Sequence, residues 1–202
     1  MDQQADSLII KKVSALMWRN GETMNLPNKI TIFRVIMIPI FLVFMLIPSI
    51  PNGKYIAAAI FIIAALTDFL DGYLARKYHL ITNFGKFMDP LADKLLVCSA
   101  LICFVQLELV PAWIVIIIIA REFIISGFRL IASDNGVVIA ASWWGKIKTN
   151  VQMIMSVLLI FHLNFYAFHV LEQIFIYLSV ILTVVSLIDY MIKNKDILKD
   201  KH

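Results

Sequence analysis

The chain has 202 residues, 61% of them hydrophobic and only 16% charged, with a net charge of +4. Soluble domains carry roughly 25% charged and 45–50% apolar residues, so this composition excludes an ordinary soluble domain and predicts a single polytopic membrane domain. The basic residues follow the ends of apolar runs, which argues against nucleic acid as a partner and for a membrane.

In chain order, residues 1–23 form an extension. Within it Leu8, Ile9, Val13, Leu16 and Met17 fall along one helical side, away from Lys11, Lys12 and Arg19. That pattern predicts a short amphipathic interfacial helix, and it lacks the continuous apolar region and cleavage site of a secretory signal. Met24 is an alternative start. The main domain is expected over 24–192, as an all-α arrangement of six transmembrane helices of roughly 20 residues each.

The first span, 30–48, carries Thr31 and Arg34 near its start and Pro39, which predicts a kink. An arginine so near a helix end either snorkels to the interface or faces inward. The second, 55–77, holds Asp68 and Asp71 in its last third, and the third, 86–106, begins with Asp89 and Asp93. The fourth, 111–132, embeds Arg121, Glu122 and Arg129 in apolar surroundings, where buried charges are functional candidates or a structural ion-pair network. The fifth, 145–163, opens GKIKTN, so Lys146 and Lys148 oppose the helix dipole unless an anion lies between them or they anchor the helix end. The sixth, 170–192, carries no motif, and 193–202 reads as a basic, solvated tail.

With six spans, only Lys54 of the 18 Lys and Arg falls in an external loop, so both termini and the charged cluster are expected on the cytoplasmic side of the cell membrane. Cys98 and Cys103 lack metal-site or redox spacing and read as packing residues. His79, His162, His169 and His202 are expected to be solvated or interfacial, with no group to fix them for catalysis.

The four aspartates hold the chemistry. An ionised carboxylate at a helix centre costs about 2.5–3.5 kcal/mol in a membrane, so four at one level call for a bound cation. Asp68, Gly72, Ala75 and Arg76 lie near one helical face with Asp71 beside them, while Gly85, Asp89 and Asp93 repeat at i, i+4 and i+8. Two helices thus point two carboxylates each at a shared space, with glycines where a backbone or phosphate approaches. Such all-oxygen ligands suit the hard cations Mg2+ or Mn2+.

The pattern D68-x-x-D71-G72-x-x-A75-R76, then G85-x-x-x-D89-x-x-x-D93, resembles the signature of the CDP-alcohol phosphotransferases, integral membrane enzymes of phospholipid synthesis. The resemblance implies displacement at a phosphorus of a CDP-linked lipid, with CMP leaving and an alcohol attacking. It implies two metal ions held by Asp68, Asp71, Asp89 and Asp93, with Asp93 as the base that takes the alcohol's proton. Thr31, Arg34, Asp68, Gly72, Arg76 and Gly85 would bind the CDP moiety, and a homodimer is implied.

Four cations, Arg121, Arg129, Lys146 and Lys148, argue for a phosphorylated acceptor, and electrostatics alone leaves glycerol 3-phosphate and inositol phosphate both open. The segments NLPNKITIFR, DFLDGYLARK, GKFMDPLADK, AREF, SGFR and GKIKT are similar to the bacterial branch of that family that joins CDP-diacylglycerol to sn-glycerol 3-phosphate. That similarity implies phosphatidylglycerophosphate and CMP as products, with the four cations around the acceptor phosphate. The rival readings are a CDP-dependent cardiolipin synthase, an intramembrane prenyltransferase and a cation transporter.

Overall fold

The computed structural model describes residues 26–77, 83–134, 139 and 142–195, with side chains described for 28–67, 88, 91–133, 139 and 142–195. The extension 1–23, His79 and His202 lie outside the described residues.

Among the described residues the fold is all helical. Helix α1 spans Leu26–Leu46, α2 Gly53–Lys77, α3 Asn83–Gln106, α4 Ala112–Asp134, α5 Trp143–Phe161 and α6 Tyr166–Lys193. Each expected span has its helix, with ends shifted by a few residues. Helix α3 starts at Asn83 instead of 86, so Pro90 falls about two turns inside it and not in the first turn. Pro39 lies within α1, where its missing N–H removes one i→i−4 bond. Residues 28–46 and 166–193 are apolar and long enough to cross a membrane, and 53–67 forms a shorter apolar stretch.

The exterior is apolar on all six helices: Ile36, Leu66, Ile102, Ile116, Leu130, Trp143 and Ile181 are all exposed. The interior carries the polarity, with Thr31, Arg34, Arg121, Lys148, Gln152 and Glu172 buried. A soluble protein rarely exposes so much contiguous apolar surface, whereas in lipid it is the polar groups that must face inward.

Helices α1 and α2 pack along their length, and α1 also meets α3. Ala57, Ala58 and Ala64 are buried on α2 and permit close approach of backbones, which in an apolar solvent replaces the hydrophobic effect as the source of packing energy. The rings of Phe41 and Phe61 fill the space between, with centroids 5.9 Å apart. At Gly53 a Cβ would lie 2.7 Å from the Phe44 carbonyl oxygen, so the turn from α1 into α2 admits no side chain there. Helices α5 and α6 form a second close pair, and α4 packs on α6. A separate small core of Ile125, Phe128 and Tyr190 ties α4 to the end of α6, where the Phe128 and Tyr190 rings meet edge to face at 6.2 Å. Cys103 is buried in the main core and Cys98 is partly buried, both as free thiols.

Candidate active site

Charged residues from each of α3, α4 and α5 converge on a cleft of about 500 Å3. That volume falls within the range of small-molecule sites, roughly 300–1,000 Å3. Asp93 and Lys94 enter from α3, Arg121, Glu122 and Arg129 from α4, and Lys146 from α5. Its wall therefore holds four cations against two carboxylates, an environment suited to an anion.

The start of α5 forms part of this wall. Ser142 is the N-cap, and its hydroxyl accepts the Gly145 N–H at 3.1 Å. Such a cap satisfies one of the helix's orphan donors, while the remaining N–H groups and the dipole favour negative charge at this end. A Cβ on Gly145 would sit 3.2 Å from Arg121 Nη2, so glycine leaves room for the guanidinium to lie against the helix.

Arg121 is buried and held on two sides. Its Nε donates to Ser186 Oγ on α6 at 3.1 Å, and its Nη1 pairs with Glu122 at 3.1 Å. Ser186 in turn donates to the Thr183 carbonyl. Glu122 also receives the ammonium of Lys148, whose side chain is 1% exposed. Glu122 thus joins α4 to α5 and pairs with two cations in the interior, where a cation without a partner would be costly.

Arg129 and Lys146 are exposed to the cleft, whereas Lys148 turns away from it and lines a smaller adjoining cavity of about 40 Å3 with Asp93, Glu122 and Gln152. The structure thus brings Arg121, Arg129 and Lys146 together on one cleft with Asp93, and gives Lys148 a protein partner. Glu122, open between a network and a functional role in the sequence, is the centre of a network.

Thr31 and Arg34 are fully buried in α1. Arg34 does not snorkel; it faces the protein interior. Neither is among the described residues of the cleft wall. Asp68, Asp71, Gly72 and Arg76 occupy the last turns of α2, and Gly85 and Asp89 the first turns of α3, and these two helices pack against each other. Their side chains lie outside the described residues.

Of the wall residues that escaped the sequence reading, four bear on the chemistry. Thr149 and Asn150 follow Lys148 directly, and Lys94 follows Asp93, so charge and polarity beside a motif were the available signal. Tyr190 gave none, standing in an apolar span without a motif. Its hydroxyl is buried without a hydrogen-bond partner among the described residues, and it lines the cleft. Buried polar groups are nearly always satisfied, so this hydroxyl is an exception beside the cleft.

A helical bundle with an apolar exterior, a charged interior and an anion-accepting cleft holding a carboxylate defines a class of lipid-facing helical protein that handles phosphate-bearing molecules. A family model described as CDP-alcohol phosphatidyltransferase matches residues 24–185, and the chain belongs to that family.

Among curated relatives, a CDP-diacylglycerol–glycerol-3-phosphate 3-phosphatidyltransferase of Bacillus subtilis (strain 168) is 49% identical over 188 residues, covering 87% of this chain and 97% of the relative. One of the same name from Haemophilus influenzae is 43% identical over 183 residues, covering 87% and 96%. A probable phosphatidylglycerophosphate synthase of Mycobacterium tuberculosis is 38% identical over 169 residues, covering 83% and 80%.

Proposed function

We propose that this chain transfers the phosphatidyl group of CDP-diacylglycerol to sn-glycerol 3-phosphate, giving phosphatidylglycerophosphate and CMP. The observation that carries this reading is the convergence of Arg121, Arg129 and Lys146 on one cleft with Asp93. The names of the relatives support glycerol 3-phosphate over inositol phosphate as the acceptor.

In this reading the acceptor phosphate lies against Arg129, Lys146 and the N-terminus of α5, with Arg121 fixed by Glu122 and Ser186 behind it. The acceptor's free hydroxyl then points toward Asp93, whose carboxylate takes its proton. The hydroxyl oxygen attacks the phosphorus that bears diacylglycerol, the bond from that phosphorus to the CMP oxygen breaks, and CMP leaves. No Ser, Cys or Lys nucleophile paired with a base is needed, so transfer is direct.

By residue type, Asp68, Asp71, Asp89 and Asp93, on two packed helices, would supply all-oxygen ligands of the kind that suit Mg2+ or Mn2+, and would hold two such ions. When bound, such ions neutralise charge on the pyrophosphate and the leaving CMP. Thr31, Arg34, Gly72, Arg76 and Gly85 complete the nucleotide side. Lys148, held by Glu122, positions the wall of the site instead of touching the acceptor.

The six helices, with their apolar exteriors, are read as six membrane spans of one domain over 24–192, preceded by the interfacial extension. Both termini and the cleft face the cytoplasm, so glycerol 3-phosphate enters from the cytosol and the liponucleotide from the inner leaflet.

Lys146→Ala and Arg129→Ala test the acceptor side. Each removes an exposed charge-assisted contact worth about 1.5–3 kcal/mol, so the KM for glycerol 3-phosphate should rise about ten- to a hundredfold. The KM for CDP-diacylglycerol should change little. Equal effects on both substrates would contradict the assignment of this cleft to the acceptor.

A further inference from the structure

At the far end of α5, about 25 Å from Gly145 at 1.5 Å per residue, a second polar cluster stands apart from the cleft. His162 caps α5 in the left-handed conformation, with φ of 36°, and a three-residue loop leads into α6. One turn into α6 comes His169, and three residues later Glu172, on the same helical face. The expectation that these histidines have no fixing partner does not hold. His162 Nδ1 lies 3.0 and 3.3 Å from the two carboxylate oxygens of Glu172, and His169 Nδ1 lies 3.1 Å from one of them.

We propose that His162, His169 and Glu172 form a site for a borderline transition-metal cation, with Zn2+ as the type, at the end of the bundle opposite the cleft. Three observations carry it. The ligand atoms of the three side chains all lie within 4.8 Å of one another. A tetrahedral ion with bonds of about 2.0–2.2 Å holds its ligand atoms roughly 3.3 Å apart, close to the observed nitrogen–oxygen separations. The burial is also graded as a metal site requires: the Glu172 side chain is 4% exposed and so fixed, while the two imidazoles are 39% and 44% exposed and open to an incoming ion.

The donor set differs in kind from that of the aspartates. Two imidazole nitrogens and one carboxylate select Zn2+, Co2+ or Ni2+ over Mg2+, with water filling the remaining position. The ion would bridge the C-terminus of α5 to the first turns of α6, and so staple the helical hairpin that also carries Lys146 and Tyr190 at its other end. It has no part in the transfer chemistry.

The test is isothermal titration of ZnCl2 into the full-length, chelator-treated protein in detergent, with saturating MgCl2 present so that the aspartates do not compete. One Zn2+ per chain should bind, and the thermal denaturation midpoint should rise with it. In His162→Ala, and separately in His169→Asn, the affinity should fall at least about tenfold and the midpoint shift should vanish. His169→Asn alters only a half-exposed ring and keeps the test available if Glu172→Gln fails to fold. Zn2+ binding that is equal in wild type and both histidine variants, or no saturable binding in wild type, would overturn the site and leave the cluster as a hydrogen-bonded clamp only.

Discussion

Asp93→Asn should lower the rate of CMP release by about a hundred- to ten-thousandfold, the usual contribution of a positioned general base. Among the described residues, Asp93 is the motif aspartate on the cleft wall, beside Lys94 and across from Arg121, Arg129 and Lys146. Asparagine has nearly the same shape and can still accept a hydrogen bond, but it cannot take a proton from the attacking hydroxyl. The substitution should therefore reduce kcat with smaller changes in either KM, and the thermal midpoint in detergent should move little. A turnover within about tenfold of wild type would remove Asp93 from the role of base.

The largest effect on stability is expected at Glu122. Its carboxylate holds Arg121 at 3.1 Å and the buried ammonium of Lys148. Glu122→Gln strands Lys148, whose side chain is 1% exposed, and breaking one partner of a buried pair costs about 3–5 kcal/mol. Removing both charges is a different matter, because the desolvation penalty disappears with them. Glu122→Gln combined with Lys148→Met should recover the part of the loss that belongs to Lys148 and leave the part that belongs to Arg121, so that the two single effects fail to add. Denaturation midpoints of the four proteins in one detergent measure this directly. Additive losses would show that the two side chains are not coupled and that Lys148 is free to serve the acceptor.

The helices were readable from the sequence because their apolar runs are long and end at Pro, Gly or charged clusters, as NLPNK, SIPNGK and LELVP do. The aspartate motif was readable because its spacing places each pair on one helical face. Lys148 was harder. From sequence it looks like Lys146, two residues away near the same helix start, and both oppose the dipole. The 100° step per residue turns one toward the cleft and the other toward α4, where Glu122 awaits it, and only tertiary packing reveals that partner.

His162 and His169 show the same limit. A short loop between two helices brings them onto Glu172, a contact that no local pattern announces. Tyr190 is legible only as an aromatic residue in an apolar span until α4 packs on α6 and the residue joins the cleft wall.

In the proposed reaction this cleft delivers glycerol 3-phosphate to a CDP-linked lipid. The most direct test is CMP release by the purified protein in detergent, with CDP-diacylglycerol and Mg2+, and with glycerol 3-phosphate, inositol phosphate, serine or phosphatidylglycerol offered as the sole acceptor. Turnover is expected with glycerol 3-phosphate alone, with phosphatidylglycerophosphate as the lipid product. Turnover with phosphatidylglycerol or inositol phosphate instead would contradict it, because the cations at Arg129 and Lys146 would then serve a different acceptor.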